Sequence, residues 1–531
     1  MNMERRLECK ANVRHVMKPS ARPRAVLLAC ALIAACVHNP VTGERELGFV
    51  STGQQISIGE QQYVPAQQMQ GGRYRVDPEL TEYVQRVGQR VAAHSGIDLP
   101  YEFVVLNNSV PNAWALPGGK LAINRGLLTE LSNEAELAAV LGHEITHAAA
   151  RHGAKAIERS VVSQAALLGV AIGTAGSEYV GAALGAAQLA AGLINQKYGR
   201  DAEREADFYG TRFLAEAGYD PYASVSLQET FVRLSEGRNP SWMEGLFASH
   251  PPSTERVANN RGLAEQLRAQ GFTEGEFGAD AYQAALRPLR RDQEAYAAYD
   301  EARKALADGG LEEAETLVER ALEAQSQEAA FHGLRGELRL RQERYDDAIT
   351  NYDRALGLDD EYFAYYLGRG VARARQGDPR EADADLRRSI ELLPTAVAYA
   401  ELGNLAESAG DVDTALTYYQ TAAQSDSAAG RASRARLLRL DLPRNPERYV
   451  EARLSRDSGG RLVLQVSNRT AAPLSRVEVI VETVDAGGRL ERFRSTVDRI
   501  AAGAARLMLV SEGAGSVVDA RATVVSARID E

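Results

Sequence analysis

Cysteine is scarce in this 531-residue chain: there are three, Cys9, Cys30 and Cys36, all within the first 36 residues. No disulfide framework can hold the rest of the chain together. Positive charge is also short, with 61 Lys and Arg against 72 Asp and Glu, net −11. That balance disfavours a generic basic nucleic-acid binder. Pro (18) and Gly (46) are too few for a collagen-like or wholly disordered chain. A make-up that is 45% hydrophobic and 25% charged argues equally against a polytopic membrane protein. What remains is ordinary globular composition, and at roughly 100–200 residues per domain it predicts about three or four domains with separate cores.

The start reads as an export signal. Arg5, Arg6, Lys10, Arg14, Lys18, Arg22 and Arg24 precede an apolar run from Ala25 to Ala35, too short to span a bilayer as a mature helix. The run closes Ile33-Ala34-Ala35 before Cys36, which resembles a bacterial lipobox. That resemblance implies a lipoprotein signal peptide over residues 1–35 and a lipid-modified Cys36. With Val37 rather than Asp following, it also implies an outer-membrane lipoprotein facing the periplasm. Cys30 is a poorer candidate, and a plain secretory signal with a chance cysteine is the alternative. Cleavage would remove seven basic and two acidic side chains, leaving the mature chain at −16.

Residues 36–75 read as an N-terminal tether, and residues 76–290 as the first large domain. Leu80, Tyr83, Val84, Val87 and Val91 recur at helical spacing between Asp77-Pro78 and Gly96. Tyr101 to Leu106 reads as a strand, and Asn112 to Leu116 with Leu121 to Asn124 as a hairpin about Pro117-Gly118-Gly119-Lys120. Residues 291–442 repeat. Ala314, Ala348, Ala382 and Ala415 are 34, 34 and 33 apart, each followed seven residues later by Ala321, Ala355, Ser389 or Ala422. Gly336, Gly370 and Gly403 precede the last three, with Ala302 in place of the first glycine, while Leu317, Tyr352, Leu386 and Tyr419 are assigned to the gaps between helices. This pattern resembles tetratricopeptide repeats. After Pro443 and Pro446 the period falls to two, as in Val477-Glu478-Val479-Ile480-Val481, and about six strands over residues 447–531 predict a small β-sandwich. The fold class expected is α+β.

The chemistry is concentrated in His143-Glu144-Ile145-Thr146-His147, on a helix predicted from Asn133 to His152, with Gly153 ending it. Histidines four apart leave one helix face together and can share a metal through neutral imidazoles, with Glu144 beside them as a base for water. The alternative is two satisfied histidines on an amphipathic helix. A second helix, opened by Asp201 as its cap and ending near Gly218, carries Glu203 and Asp207 on one face. Glu203 can complete a His-His-Glu ligand set, and Asp207 can fix a ligand histidine's tautomer, with His143 the expected partner. Glu205 is the second choice as ligand.

These paired motifs resemble the metallopeptidase family of the HtpX and CAAX-prenyl-protease type, whose hairpin before the zinc helix is similar to Asn112-Ala113-Trp114-Ala115-Leu116-Pro117-Gly118-Gly119. The order of envelope signal, metalloprotease and repeats is closer still to BepA-like periplasmic members, over about residues 40 to 440. The resemblance implies a zincin-type domain with one Zn2+, His143, His147 and Glu203 as ligands and Glu144 as catalytic base. It also gives His250, opening His250-Pro251-Pro252-Ser253-Thr254-Glu255-Arg256, three readings: a latch on the zinc's open position, a transition-state group, or a packed loop histidine. Arg256 is expected in an ion pair. The hairpin strand from Asn112 to Leu116 is expected either to pair an extended substrate as an exposed edge or to pack into the core. Two departures stand out: the C-terminal β module is extra, and the late cysteine pair of the BepA-like members is absent.

The function expected is hydrolysis of envelope proteins in quality control of outer-membrane assembly, with an envelope partner on the repeats. A non-proteolytic chaperone or scaffold is the alternative; metal storage lacks the extra Cys and His ligands it would need. Residues 160–194, rich in Ala, Gly and Val but broken by Gln164, Glu178, Tyr179 and Gln188, read as a flap over the cleft rather than two membrane helices.

Overall fold

The computed structural model describes residues 36–168, 189–237, 246–273, 275–511 and 517–530. The signal peptide expected over residues 1–35 and the middle of the expected flap lie outside the described residues. Among the described residues no helix is long and apolar enough to cross a membrane.

The segment expected as a tether is folded. Strands β1 (Cys36–His38) and β2 (Arg45–Leu47) pair antiparallel. The turn between them is organised by Asn39, whose Oδ1 accepts from the backbone N–H groups of Val41 and Thr42. Helix α1 (Thr52–Met69) follows, opened by a capping box between Ser51 and Gln54. It buries Tyr63 and Ala66 together with Gln55, Gln62, Gln67 and Gln68. Much of its inner face is amide rather than aliphatic, so no apolar stripe betrayed it.

Helix α2 (Pro78–Ala92) carries the predicted stripe inward. The sheet that follows has the order β3-β5-β4, from β3 (Glu102–Leu106), β4 (Ala113–Leu116) and β5 (Lys120–Asn124). β3 and β5 run parallel; β4 and β5 form the expected hairpin, turned by Gly118 and Gly119 at φ +82° and +85°. After the single turn α3 (Arg125–Leu128), α4 (Glu134–Ala149) is capped by Asn133, which accepts from Glu136 N–H. The Glu136 carboxylate reaches Ser132 N–H instead of closing the box. α4 ends earlier than predicted: Arg151 turns left-handed at φ +63°, and Gly153 lies inside the next helix, α5 (His152–Leu168). Helix α6 (Arg200–Glu216) is capped by Gly199, so Asp201 sits in the first turn rather than at the cap. α7 (Ala223–Gly237), α8 (Leu246–Ser249) and α9 (Thr254–Ala269) complete the domain's outer wall.

The repeats form a solenoid of antiparallel pairs: Gln293–Ala307 with Leu311–Ala324, Ala329–Arg341 with Tyr345–Leu358, Phe363–Gln376 with Pro379–Leu392, and Ala396–Ser408 with Val412–Ala422, closed by Ala428–Asp441. The small residues stand where the helices touch. A Cβ on Gly336 would meet the Tyr352 ring at 3.0 Å, and one on Gly403 the Tyr419 ring at 2.6 Å. In the first repeat Val318, not Leu317, takes the buried place of Tyr352, Leu386 and Tyr419, being fully buried one position later. The last six strands make two antiparallel three-stranded sheets packed on Leu464, Val466, Val477, Val479 and Val481, a β-sandwich as expected.

Candidate active site

α4 and α6 cross where both are glycine. A Cβ on Gly142 would lie 2.8 Å from Gly210 O, and one on Gly210 2.7 Å from His143 N. This close crossing sets the histidine face of α4 against the carboxylate face of α6. His143, His147, Glu203 and His250 are all buried, and each offers a ligand atom within 4.8 Å of the others. His143 Nε2 is 3.0 Å from His147 Nε2, 3.2 Å from His250 Nδ1 and 3.5 Å from a Glu203 oxygen. Glu203 lies 3.4 Å from His147 Nε2 and 3.0 Å from His250 Nδ1.

These spacings fit zinc. Bonds of about 2.0–2.1 Å in a tetrahedron put ligand atoms roughly 3.3 Å apart, and the five separations found here run from 3.0 to 3.5 Å. Imidazole and carboxylate are also the donor types that suit this ion.

Support comes from α6 and α9. Asp207 Oδ1 is 3.0 Å from His143 Nδ1, the partner expected from sequence. Arg256, set in the first turn of α9 by the Ser253 cap, grips Asp207 with two N–H groups at 2.8 and 2.6 Å and reaches Glu203 at 3.2 Å. Burial raises the Asp207 carboxyl, but Arg256 and His143 outweigh it and hold it below its ordinary value. Burial likewise opposes the His143 cation, yet Asp207 and Glu203 lift its pKa to about 10. At His147 burial wins and the pKa falls well below 6.5. Glu203 is held far below the usual carboxylate range: burial opposes this, and the three histidines, His250 first, prevail.

His250 follows α8 and presents its two ring nitrogens to different groups. Nδ1 joins the ligand cluster, and Nε2 lies 3.5 Å from Glu144 Oε1. The packed-loop reading of His250 thus gives way to one inside the site. Glu205, the second choice as ligand, lies elsewhere: it accepts from Asn39 Nδ2 at 2.9 Å and faces His152 at 3.6 Å. Sequence reasoning missed His152 and Tyr198. Tyr198 stacks on His147 with ring centroids 4.0 Å apart, and burial, then Glu144 and Glu203, raise its pKa. The signal for Tyr198 was only its position five residues before Glu203.

The strand Asn112 to Leu116 is an edge by hydrogen bonding, and its side chains follow the second of the two expectations, packing into the core. All four residues of β4 are buried, and Trp114 and Leu116 share one hydrophobic cluster with Ala190, Leu193 and Ile194. Two polar atoms on it, Asn112 Oδ1 and Trp114 Nε1, are buried without a hydrogen-bond partner.

Comparison with known proteins agrees with this geometry. Residues 78–264 match Peptidase family M48. The chain carries an M48 metallopeptidase domain. Tetratricopeptide repeat matches follow over residues 299–363, 335–397 and 367–432, so the peptidase is joined to a repeat solenoid. The beta-barrel assembly-enhancing protease of Escherichia coli (strain K12) is 28% identical over 374 residues, covering 66% of this chain and 76% of that protein. The mitochondrial metalloendopeptidase OMA1 of Schizosaccharomyces pombe is 33% identical over 225 residues, 41% of this chain and 63% of that one. The metalloprotease YcaL of Escherichia coli (strain K12) is 35% identical over 164 residues, 30% of this chain and 61% of that one.

Proposed function

We propose that this M48 peptidase is a zinc endopeptidase of the bacterial cell envelope, held latent by His250. The observation that carries the reading is the set of donor separations between 3.0 and 3.5 Å, which spans three histidines and Glu203 rather than two histidines and Glu203. His143, His147 and Glu203 would hold one Zn2+ per chain, and the fourth position is the one His250 takes. Zinc there supplies Lewis-acid activation of water and of the scissile carbonyl.

The protein's own groups do the rest. Glu144 accepts the proton of the attacking water and returns it to the leaving amine. While His250 Nε2 stands 3.5 Å from its carboxylate, that work is blocked. Swinging α8 away would free both the fourth position and Glu144. Asp207 keeps the proton of His143 on Nδ1, leaving Nε2 for the metal. The outer edge of β4 would take an extended substrate by strand addition once residues 190–194 shift, with Asn112 Oδ1 and Trp114 Nε1 as unclaimed polar groups.

The Cys36 signal supports an outer-membrane lipoprotein facing the periplasm. The name of the relative from Escherichia coli, 28% identical, points to proteins that assemble β-barrels as substrates or partners, and the solenoid would recruit them. A non-proteolytic scaffold is disfavoured by the complete set of donors and base. The test is casein cleavage by His250→Ala beside wild type and the His250→Ala/Glu144→Gln double variant. Expected are cleavage by His250→Ala above wild type and none by the double variant. A His250→Ala protein no more active than wild type would remove the latch. Glu144→Gln should retain zinc and Glu203→Ala lose it; a Glu203→Ala protein keeping full zinc would remove that ligand.

A further inference from the structure

His147 is held from behind by groups that hydrolysis itself does not use. Its Nε2 faces His143 and Glu203, so as a metal ligand it must keep its proton on Nδ1. That Nδ1 lies 2.8 Å from Nδ1 of His152, which is only 3% exposed. Two nitrogens at this distance share one proton, so His152 Nδ1 accepts, and its own proton is on Nε2. Nε2 has no hydrogen-bond partner of its own and lies 3.6 Å from Glu205 Oε2. The other Glu205 oxygen accepts from Asn39 Nδ2 at 2.9 Å. Asn39 is wholly buried, and the same amide also reaches Glu46 at 3.2 Å, which Lys155 holds at 2.8 Å.

The geometry points to a positioning relay, Asn39 to Glu205 to His152 to His147, that fixes the tautomer of one zinc ligand and ties the N-terminal hairpin to the metal centre. It rests on the zinc reading above. Each member faces the next with one donor and one acceptor, and reversing any link would leave two protons or two lone pairs opposed. His143 has its carboxylate directly, in Asp207; His147 reaches its own through a second imidazole. Glu205 thereby gains a role without being a ligand. The hairpin that begins at Cys36, the residue expected to carry the membrane anchor, becomes part of what shapes the site.

The test compares the full chain with its His152→Leu, His152→Asn, Glu205→Gln and Asn39→Ala variants. The readouts are the zinc dissociation constant by chelator competition and the visible spectrum with Co2+ in place of zinc. Outer groups that orient a ligand histidine typically contribute about 10–100-fold to metal affinity. His152→Leu should weaken zinc by that order and shift the cobalt bands. His152→Asn, whose amide oxygen falls near the place of Nδ1, should restore most of the affinity. Glu205→Gln and Asn39→Ala should show smaller losses in that order. Wild-type affinity and an unchanged cobalt spectrum in His152→Leu would overturn the relay while leaving the zinc centre standing. Failure of the unsubstituted chain to bind zinc would remove both. Should His152→Leu not fold by circular dichroism, Glu205→Gln decides: an unchanged affinity and spectrum there overturns the relay equally.

Discussion

At the scale of single residues, the site was legible where its spacing is helical. His143 and His147, and likewise Glu203 and Asp207, are four apart and leave their helices side by side. His152 was not legible. On an unbroken helix a residue five past His147 points about 140° away, and only the left-handed turn at Arg151 brings its ring back. A non-glycine residue gives little warning of such a turn. The glycines at the helix crossing are equally silent in sequence and more consequential. Ala at 210 would gain about 1 kcal/mol of helix propensity, yet its Cβ would stand 2.7 Å from His143 N, where only backbone can give way. Overlap wins: Gly210→Ala is expected to lose about 1–3 kcal/mol in urea unfolding. It should also weaken zinc, because α6 moves off with Glu203. Unfolding at wild-type urea concentration with unweakened zinc would show that the crossing has slack.

At the scale of elements, periodicity found what packs through aliphatic stripes and overlooked what packs through amides and hydrogen bonds. α2 was legible from Leu80, Val84, Val87 and Val91, whereas α1 buries Gln62, Gln67 and Gln68 and contains Pro65. The junction of solenoid and sandwich is of the same hidden kind. Asp441, at the end of the last solenoid helix, accepts from Asn445 at 2.6 Å and Tyr449 at 2.8 Å and pairs with Arg448 at 3.2 Å. Burial raises its pKa, but these partners prevail and it lies below its ordinary value. The unfolded value is about 3.9. The stabilisation is therefore complete above roughly pH 4 and is lost as pH falls through the lower folded value. Asp441→Asn should cost about 1–3 kcal/mol near pH 7, and its melting temperature should converge on that of wild type as the pH is lowered below about 4. A gap independent of pH would mean that the side chain acts by shape, not charge.

At the scale of the whole molecule, sequence divided the chain at residue 290, but the packing is continuous there. One hydrophobic cluster runs from Leu80, Val84 and Leu141 through Tyr282 and Leu289 to Tyr296, Val318 and Phe331. Arg125 stacks on Tyr296 at 3.5 Å, and Glu328 accepts from both Tyr296 at 2.6 Å and Asn107 at 3.0 Å. Composition and helical period say nothing of this, since repeats and peptidase each satisfy their own pattern. The sandwich has a separate cluster, joined to the solenoid by Leu442 and Leu438. These two boundaries should therefore behave differently. Limited proteolysis of the zinc-loaded chain, with fragments weighed by mass spectrometry, should cut within residues 442–449 and release the sandwich from a stable remainder. Residues 285–293 should stay intact until the peptidase unfolds. Removing everything past 290 would strip Tyr296 and Phe331 from that shared core, and burying a large side chain is worth about 1.5–3 kcal/mol. That truncation should then lose zinc and fold together, whereas truncation at 446 should keep the casein activity of His250→Ala. A stable, zinc-binding fragment ending near 290 would show that the shared core is only a contact surface, and that the solenoid is free to move as a separate body.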